Sequence, residues 1–258
     1  MPNDRSAAEW AHELATNWEA RAALASRDLF VASHPGWNDP TAWEQHAATE
    51  VELFLAGLDL AWLRTVHVLE LGCGSGRLAR RLRSAAHSYT GFDIAMGMVQ
   101  AAQQRCANID GMRFFHGDGL SVPAAAQDRQ YGLVLAVAVF IHCPRAVIAT
   151  NIENAYRQVQ PGGQLRLSVL AFHDDKEGIV GPQAAVAEAT HSMQDDMQQV
   201  IASLTPEERR LAFDTYYMGE RFRYAEMKPF LHGLTGGEVA LYRGDPGCIY
   251  AAVTRPPA

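Results

Sequence analysis

Around residue 70 the chain reads Val68-Leu69-Glu70-Leu71-Gly72-Cys73-Gly74-Ser75-Gly76-Arg77-Leu78. An apolar run that ends in three alternating glycines can turn sharply and let a ligand lie against main-chain atoms, which implies a nucleotide-like ligand. The dinucleotide version of such a loop needs a glycine where this chain has Arg77, so a diphosphate is disfavoured. The next strand-like run ends at Asp93, whose carboxylate can accept hydrogen bonds from both hydroxyls of a ribose. A third run leads into Gly117-Asp118-Gly119, an acid suited to an exocyclic amine. His142 and His173 close two later apolar runs and are candidates for a proton-removing base.

These groups need a scaffold that brings strand ends together, and the rest of the sequence supplies one. Residues 6–33 and 42–58 carry helical periodicity on either side of a His-Pro-Gly turn, and predict two N-terminal helices. From Thr65–Leu71 onward, short β-branched runs alternate with helical ones. Strands are expected at Tyr89–Phe92, Met112–Phe115, Leu133–Val137 and Leu165–Leu170, with helices at Met96–Arg105 and Ala146–Val159. Pro161-Gly162-Gly163 separates that last helix from the fifth strand. Alternation of this kind implies a mostly parallel sheet with helices on both faces. After Phe172 a long, mainly helical stretch runs to about Leu234. Two closing strands follow, Glu238–Tyr242 and Cys248–Val253, joined by Gly244-Asp245-Pro246-Gly247 and close enough to pair antiparallel.

Composition narrows the function class. The 258 residues are 48% hydrophobic and 20% charged, as expected of a globular enzyme. A net charge of −7 without a basic cluster argues against nucleic acid as a partner. No apolar run is long enough for a membrane helix, and the N-terminus lacks a secretory core, so a cytoplasmic location is expected. Cys73, Cys106, Cys143 and Cys248 show no metal-ligand spacing, which predicts reduced thiols and no metal site.

Five segments in order carry a family resemblance: LELGCGSGRLARRL, TGFDIAMGMVQAA, FFHGDGLSVP, YGLVLAVAVFIHCP and QVQPGGQLRLSVL. Together they resemble the motifs of class I S-adenosylmethionine-dependent methyltransferases. The resemblance implies an α/β fold with a seven-stranded sheet in the order 3-2-1-4-5-7-6, the seventh strand antiparallel. One departure is Tyr131-Gly132, where the family usually opens its fourth strand with Asp after an aromatic residue.

By position, the resemblance implies that Gly72, Gly74 and Gly76 pass under the methionine part of the cofactor, with Glu70 holding the loop or the amino group. Arg77 would meet the cofactor carboxylate, and Asp93 the ribose. Ile94 and Met98 would cover the adenine, Asp118 its amine, and the backbone N–H of Gly119 or Leu120 a ring nitrogen. A small-molecule acceptor is implied, methylated on oxygen or nitrogen by in-line displacement, with His142 and His173 as catalytic candidates. The alternatives are an S-adenosylmethionine enzyme of non-methylating chemistry or a binding-only relative.

The expected organisation is one domain. Residues 1–62 form an N-terminal helical lid with Trp18, Trp37 and Trp43, and residues 63–172 form the cofactor-binding core. Residues 173–235 form a helical cap over the acceptor, and residues 236–258 the closing strands. Tyr216, Tyr217 and Arg221 in the cap, with Trp18 and Trp37, are the expected substrate contacts. The cap acids Asp174, Asp175, Glu177, Asp195 and Asp196 would suit a cationic amine.

Overall fold

A computed structural model describes residues 5–32, 36–172, 202, 204–213, 219–242 and 247–258. The N-terminal helical stretch divides into α1 (Ala7–Ala22) and α2 (Arg27–Val31). Ser6 and Glu9 open α1 with a reciprocal cap, satisfying two backbone donors that a helix start leaves over. α3 (Pro40–Leu55) starts from Asp39, which accepts from the backbone of Thr41 and Ala42, and the short α4 (Leu60–Leu63) follows.

The sheet then forms from β1 (His67–Leu71), β2 (Ser88–Asp93), β3 (Met112–His116), β4 (Tyr131–Ala136) and β5 (Val159–Ala171). It is completed by β6 (Arg221–Phe222), β7 (Glu238–Tyr242) and β8 (Cys248–Thr254). The order is β3-β2-β1-β4-β5-β8-β7, with the two-residue β6 lying parallel against the end of β5. Apart from β6, this is the 3-2-1-4-5-7-6 arrangement, and the strand next to β5 is antiparallel as expected.

β5 begins earlier than the Pro-Gly-Gly punctuation suggests. Gly162 N–H donates to Arg255 O and Arg255 N–H to Gly163 O, both at 2.9 Å, so main-chain pairing draws those residues into the strand. β6 also falls in a stretch read as helical, and the parallel pairing of Arg221 and Phe222 with Leu170 and Ala171 outweighs local propensity there.

Between β1 and β5 run α5 (Ala79–Ala85), α6 (Met96–Arg105) and α7 (Arg145–Arg157), and later α8 (Pro206–Phe213) and α9 (Tyr224–Thr235). β4 is buried along its whole length and β1 along all but its first residue, as central strands covered on both faces must be. On one face Ile148 and Ile152 of α7 and Leu231 of α9 meet Leu167 of β5. On the other, Phe54 of α3 and Leu82 of α5 meet Leu133 of β4 and Tyr89 of β2.

The unusual Gly132 has a packing cause. A Cβ built there would lie 2.4 Å from the Val66 Cβ, so the entry to β4 has no room for any side chain. Gly132→Ala is therefore expected to lower stability by about 1–3 kcal/mol through overpacking, measured by urea denaturation. A variant as stable as the wild type would mean that Val66 moves aside freely.

Candidate active site

The parallel strands end on a cavity of about 470 Å³. Its floor is bare backbone. Gly72 and Gly74 hold φ of 62° and 52°, a region that residues with a side chain seldom occupy. A Cβ on Gly72 would fall 2.4 Å from Val139 Cγ2, and one on Gly74 would fall 3.0 Å from Val31 Cγ1. The missing side chains thus let the loop after β4 and the end of α2 close upon the floor. At the rim, Asp93 accepts hydrogen bonds from Gly74 N and Ala95 N, each at 2.9 Å. Burial pushes its carboxyl pKa up, against those two backbone hydrogen bonds.

One end of the cavity is ionic. Arg77 is 6% exposed, pairs with Glu50 of α3 and lies 3.2 Å from His46 Nδ1 on the same helix. Its guanidinium also covers the Trp43 ring at 5.8 Å. This end can therefore present both a cation and an anion to a ligand.

The remaining wall is mostly apolar, formed by Leu14 and Trp18 of α1, Ile94, Met98, Val139 and Val147. Trp18 meets His142 edge-on, ring centroids 5.4 Å apart. His142 sits in a single 3₁₀ turn, Phe140–His142, and α7 starts without a side-chain cap, so the histidine lines the cavity and does not cap the helix. Just before that turn, Ala138 adopts φ of 55°, and its N–H reaches Ser168 Oγ at 3.2 Å. A left-handed alanine costs roughly 1–2 kcal/mol, and here the strain lies on the cavity wall. Cys143 also lines the cavity, but burial pushes its thiol up to about 12, so it stays protonated and is no nucleophile.

The cavity gathers Gly72, Gly74, Arg77, Asp93, Ile94, Met98, Gly119, Trp18 and His142 from the expected set. Other expected residues stand elsewhere. Gly76 packs against α6, where a Cβ would come within 3.1 Å of Ala102 Cα. Asp118 is exposed and folds onto its own turn, accepting from Leu120 N at 2.9 Å and from Ser121 N at 2.7 Å. Burial works against its charge, but hydrogen bonds from Ser121 and Leu120 hold its pKa below the usual value. The Leu120 N–H is consequently engaged, and its side chain packs on the core. Trp37 is half-buried away from the cavity, and Arg221 donates to Ala171 O at 2.7 Å. His173, Tyr216, Tyr217, the cap acids and most of the two predicted turns lie outside the described residues.

Several lining residues were not singled out from sequence. His46 and Glu50 share one face of α3 by their spacing, a usable signal. Phe30, Val31 and Asn151 gave none, because only the packing of α2 and α7 brings them there.

Comparison with known proteins agrees with this geometry. Residues 68–163 match a family described as a methyltransferase domain. The chain carries a class I S-adenosylmethionine-dependent methyltransferase domain. Over 103 residues it is 27% identical to the ubiquinone biosynthesis O-methyltransferase of Hydrogenovibrio crunogenus, covering 40% of this chain and 42% of that protein. It is also 34% identical over 143 residues to the biotin biosynthesis bifunctional protein BioCD of Bordetella avium, covering 53% and 28% respectively. The chain thus spans less than half the length of these curated relatives.

Among solved structures, a DhpI complex with SAH superposes with a TM-score of 0.60 at 21% identity, covering 96% of this chain and 97% of that one. Magnesium protoporphyrin IX methyltransferase from Synechocystis gives 0.52 at 19% identity, covering 85% and 86%. Both share the fold.

Within the methyltransferase domain, Glu70 lies beneath the glycine loop and away from the cavity lining. In register it faces Gly91, and the space left there takes the Tyr89 hydroxyl, which donates to Glu70 Oε2 at 2.5 Å. Burial raises the Glu70 carboxyl to about 7, while the Tyr89 hydrogen bond and the charge of Arg77 oppose the rise. A folded-state pKa above the unfolded value of 4.5 means the folded protein keeps a proton that the unfolded chain has lost. Stability from this group is therefore full below pH 4.5, falls as pH rises through the window up to about 7, and stays low above it. Glu70→Gln keeps an acceptor for Tyr89 and abolishes the titration. The variant is expected to gain on the wild type through that window, by roughly 3 kcal/mol at pH 8. Urea denaturation at several pH values checks it, and parallel pH profiles for the two proteins would refute a buried, titrating Glu70.

Proposed function

We propose that this protein binds S-adenosylmethionine and transfers its methyl group to an oxygen or nitrogen of a small-molecule acceptor by in-line displacement. The observation that carries the reading is the bare floor of Gly72 and Gly74 with the buried Asp93 carboxylate at its rim. The residues present fit the cofactor in three places. The glycine floor admits the chain of the amino-acid part, and the Arg77–Glu50–His46 end suits its carboxylate and ammonium. Asp93 suits the ribose hydroxyls, while Ile94, Met98 and Gly119 flank a slot for a flat base. The names of the curated relatives, mostly O-methyltransferases, and the SAM or SAH in structures of the same fold support the same reading.

When bound, the sulfonium supplies an electrophilic methyl carbon. What remains for the protein is to hold an acceptor atom in line at about 3–3.5 Å and to keep water away. Trp18, Val139 and Val147 give an apolar wall for that purpose. His142, held edge-on by Trp18, is the group proposed to take the proton of a hydroxyl acceptor, with His173 as the second candidate. Residues 1–62 are proposed to serve as the lid, since α1, α2 and α3 all contribute to the cavity wall, and residues 173–235 as the acceptor cap.

Calorimetry with S-adenosylmethionine and S-adenosylhomocysteine tests the cofactor. Absence of binding, or a preference for NAD, would sink the reading. Asp93→Ala is expected to weaken binding about ten- to a hundredfold, the loss of hydrogen bonds to a charged acceptor. His142→Ala is expected to leave cofactor affinity within about twofold but to cut kcat on a hydroxyl acceptor roughly 100-fold or more. Wild-type turnover in that variant would leave positioning as the sole contribution of this wall.

A further inference from the structure

Asn151 of α7 is buried and lines the cavity. Its amide nitrogen donates to Gly119 O at 2.7 Å and to Val147 O at 3.0 Å, so both N–H groups are used. Neither carbonyl could be matched by the amide oxygen, which fixes the orientation of the group. Oδ1 is left without a hydrogen-bond partner among the described residues, on a side chain that faces the cavity. An acceptor kept from bulk water calls for a donor on whatever fills the space.

The surroundings identify the donor. Gly119 is pressed so close to Ile94 that a Cβ would lie 2.2 Å from Ile94 Cδ1, giving this end the narrow slot of a planar ring. Asp118 cannot serve the edge of that ring, since both its oxygens accept from Leu120 and Ser121 and it stands outside the cavity lining. We propose that Asn151 Oδ1 accepts a hydrogen bond from the exocyclic amine of the bound nucleobase, and that this residue makes the site selective for an amino-purine. The assignment rests on the cofactor reading above. A neutral amide oxygen favours an uncharged N–H donor, and a base with an oxo group there would set acceptor against acceptor. Asn154, one turn further along α7, donates to Leu120 O at 2.9 Å but does not line the cavity. It tethers the same loop without touching a ligand, which makes it the natural control.

The test is calorimetry of wild type, Asn151→Ala and Asn154→Ala with S-adenosylhomocysteine and with its analogue carrying hydrogen in place of the 6-amino group. That analogue keeps every ring nitrogen and lacks only the donor. The wild type is expected to bind it about five- to tenfold more weakly than the parent, the loss of one hydrogen bond. Asn151→Ala is expected to bind the two ligands within about twofold of each other. Asn154→Ala is expected to keep the preference even where a looser loop lowers both affinities. Equal binding by the wild type overturns the assignment without any variant. A preference that survives in Asn151→Ala, or disappears in Asn154→Ala, overturns it as well and leaves the cofactor reading standing. Failure of the wild type to bind either ligand overturns both.

Discussion

The site depends on one buried carboxylate. Asp93 ends β2, and its two oxygens accept from Gly74 N in the loop after β1 and from Ala95 N just before α6. Two connections that leave adjacent parallel strands are thereby held at a fixed distance, and the glycine floor keeps its left-handed turns without side chains to brace them. Hydrogen bonds from backbone N–H to a charged acceptor are stronger than neutral ones, and they offset part of what burial costs this charge. A carboxylate so engaged is also rigid, so a ligand contacting it meets a group whose orientation has already been fixed.

A second set of polar contacts joins the N-terminal helices to the same floor. Asp28 accepts from Ser75 Oγ and from Arg105, each at 2.6 Å, and so fastens α2 to the glycine loop and α6. Glu19 of α1 accepts from Gly97 N at 3.1 Å, at the start of α6, where the helix dipole favours a negative charge. Glu50 of α3 pairs with Arg77. Arg21 is 1% exposed, lies over the Trp18 and Phe30 rings, and donates to Leu211 O in α8 at 2.8 Å. Removing one member of such a buried pair would strand the other charge away from water, an outcome far costlier than losing a surface ion pair. The helices before β1 are thus part of the cavity wall.

Much of this was legible in the sequence. The strand ends, their order and the glycine floor follow from local patterns: apolar runs of strand length, glycines where φ must be positive, and an acid closing the second strand. The N-terminal starts of α1 and α3 were written as Ser6 with Glu9 and as Asp39 with Pro40, because caps are chemistry between near neighbours. Sequence also carried the ionic pair in part, since His46 and Glu50 share a helix face, but nothing local said that Arg77 would be their partner.

The sequence by itself determined which segments are strands, which helices, and which family's motifs lie at the strand ends, because periodicity and turn chemistry are decided within a few residues. Tertiary structure decided what fills the crevice those ends create. Asp118 went to its own turn, since a loop acid with two free N–H groups within three residues satisfies itself before it reaches a ligand. Asn151 came to the cavity because α7 packs across the loop at Gly119, a contact set by the whole sheet. Gly132 looked like a motif departure and proved to be a packing constraint from Val66, which no spacing within β4 could reveal. Such contacts join residues far apart in the chain, so their partners are fixed by the packing of whole elements.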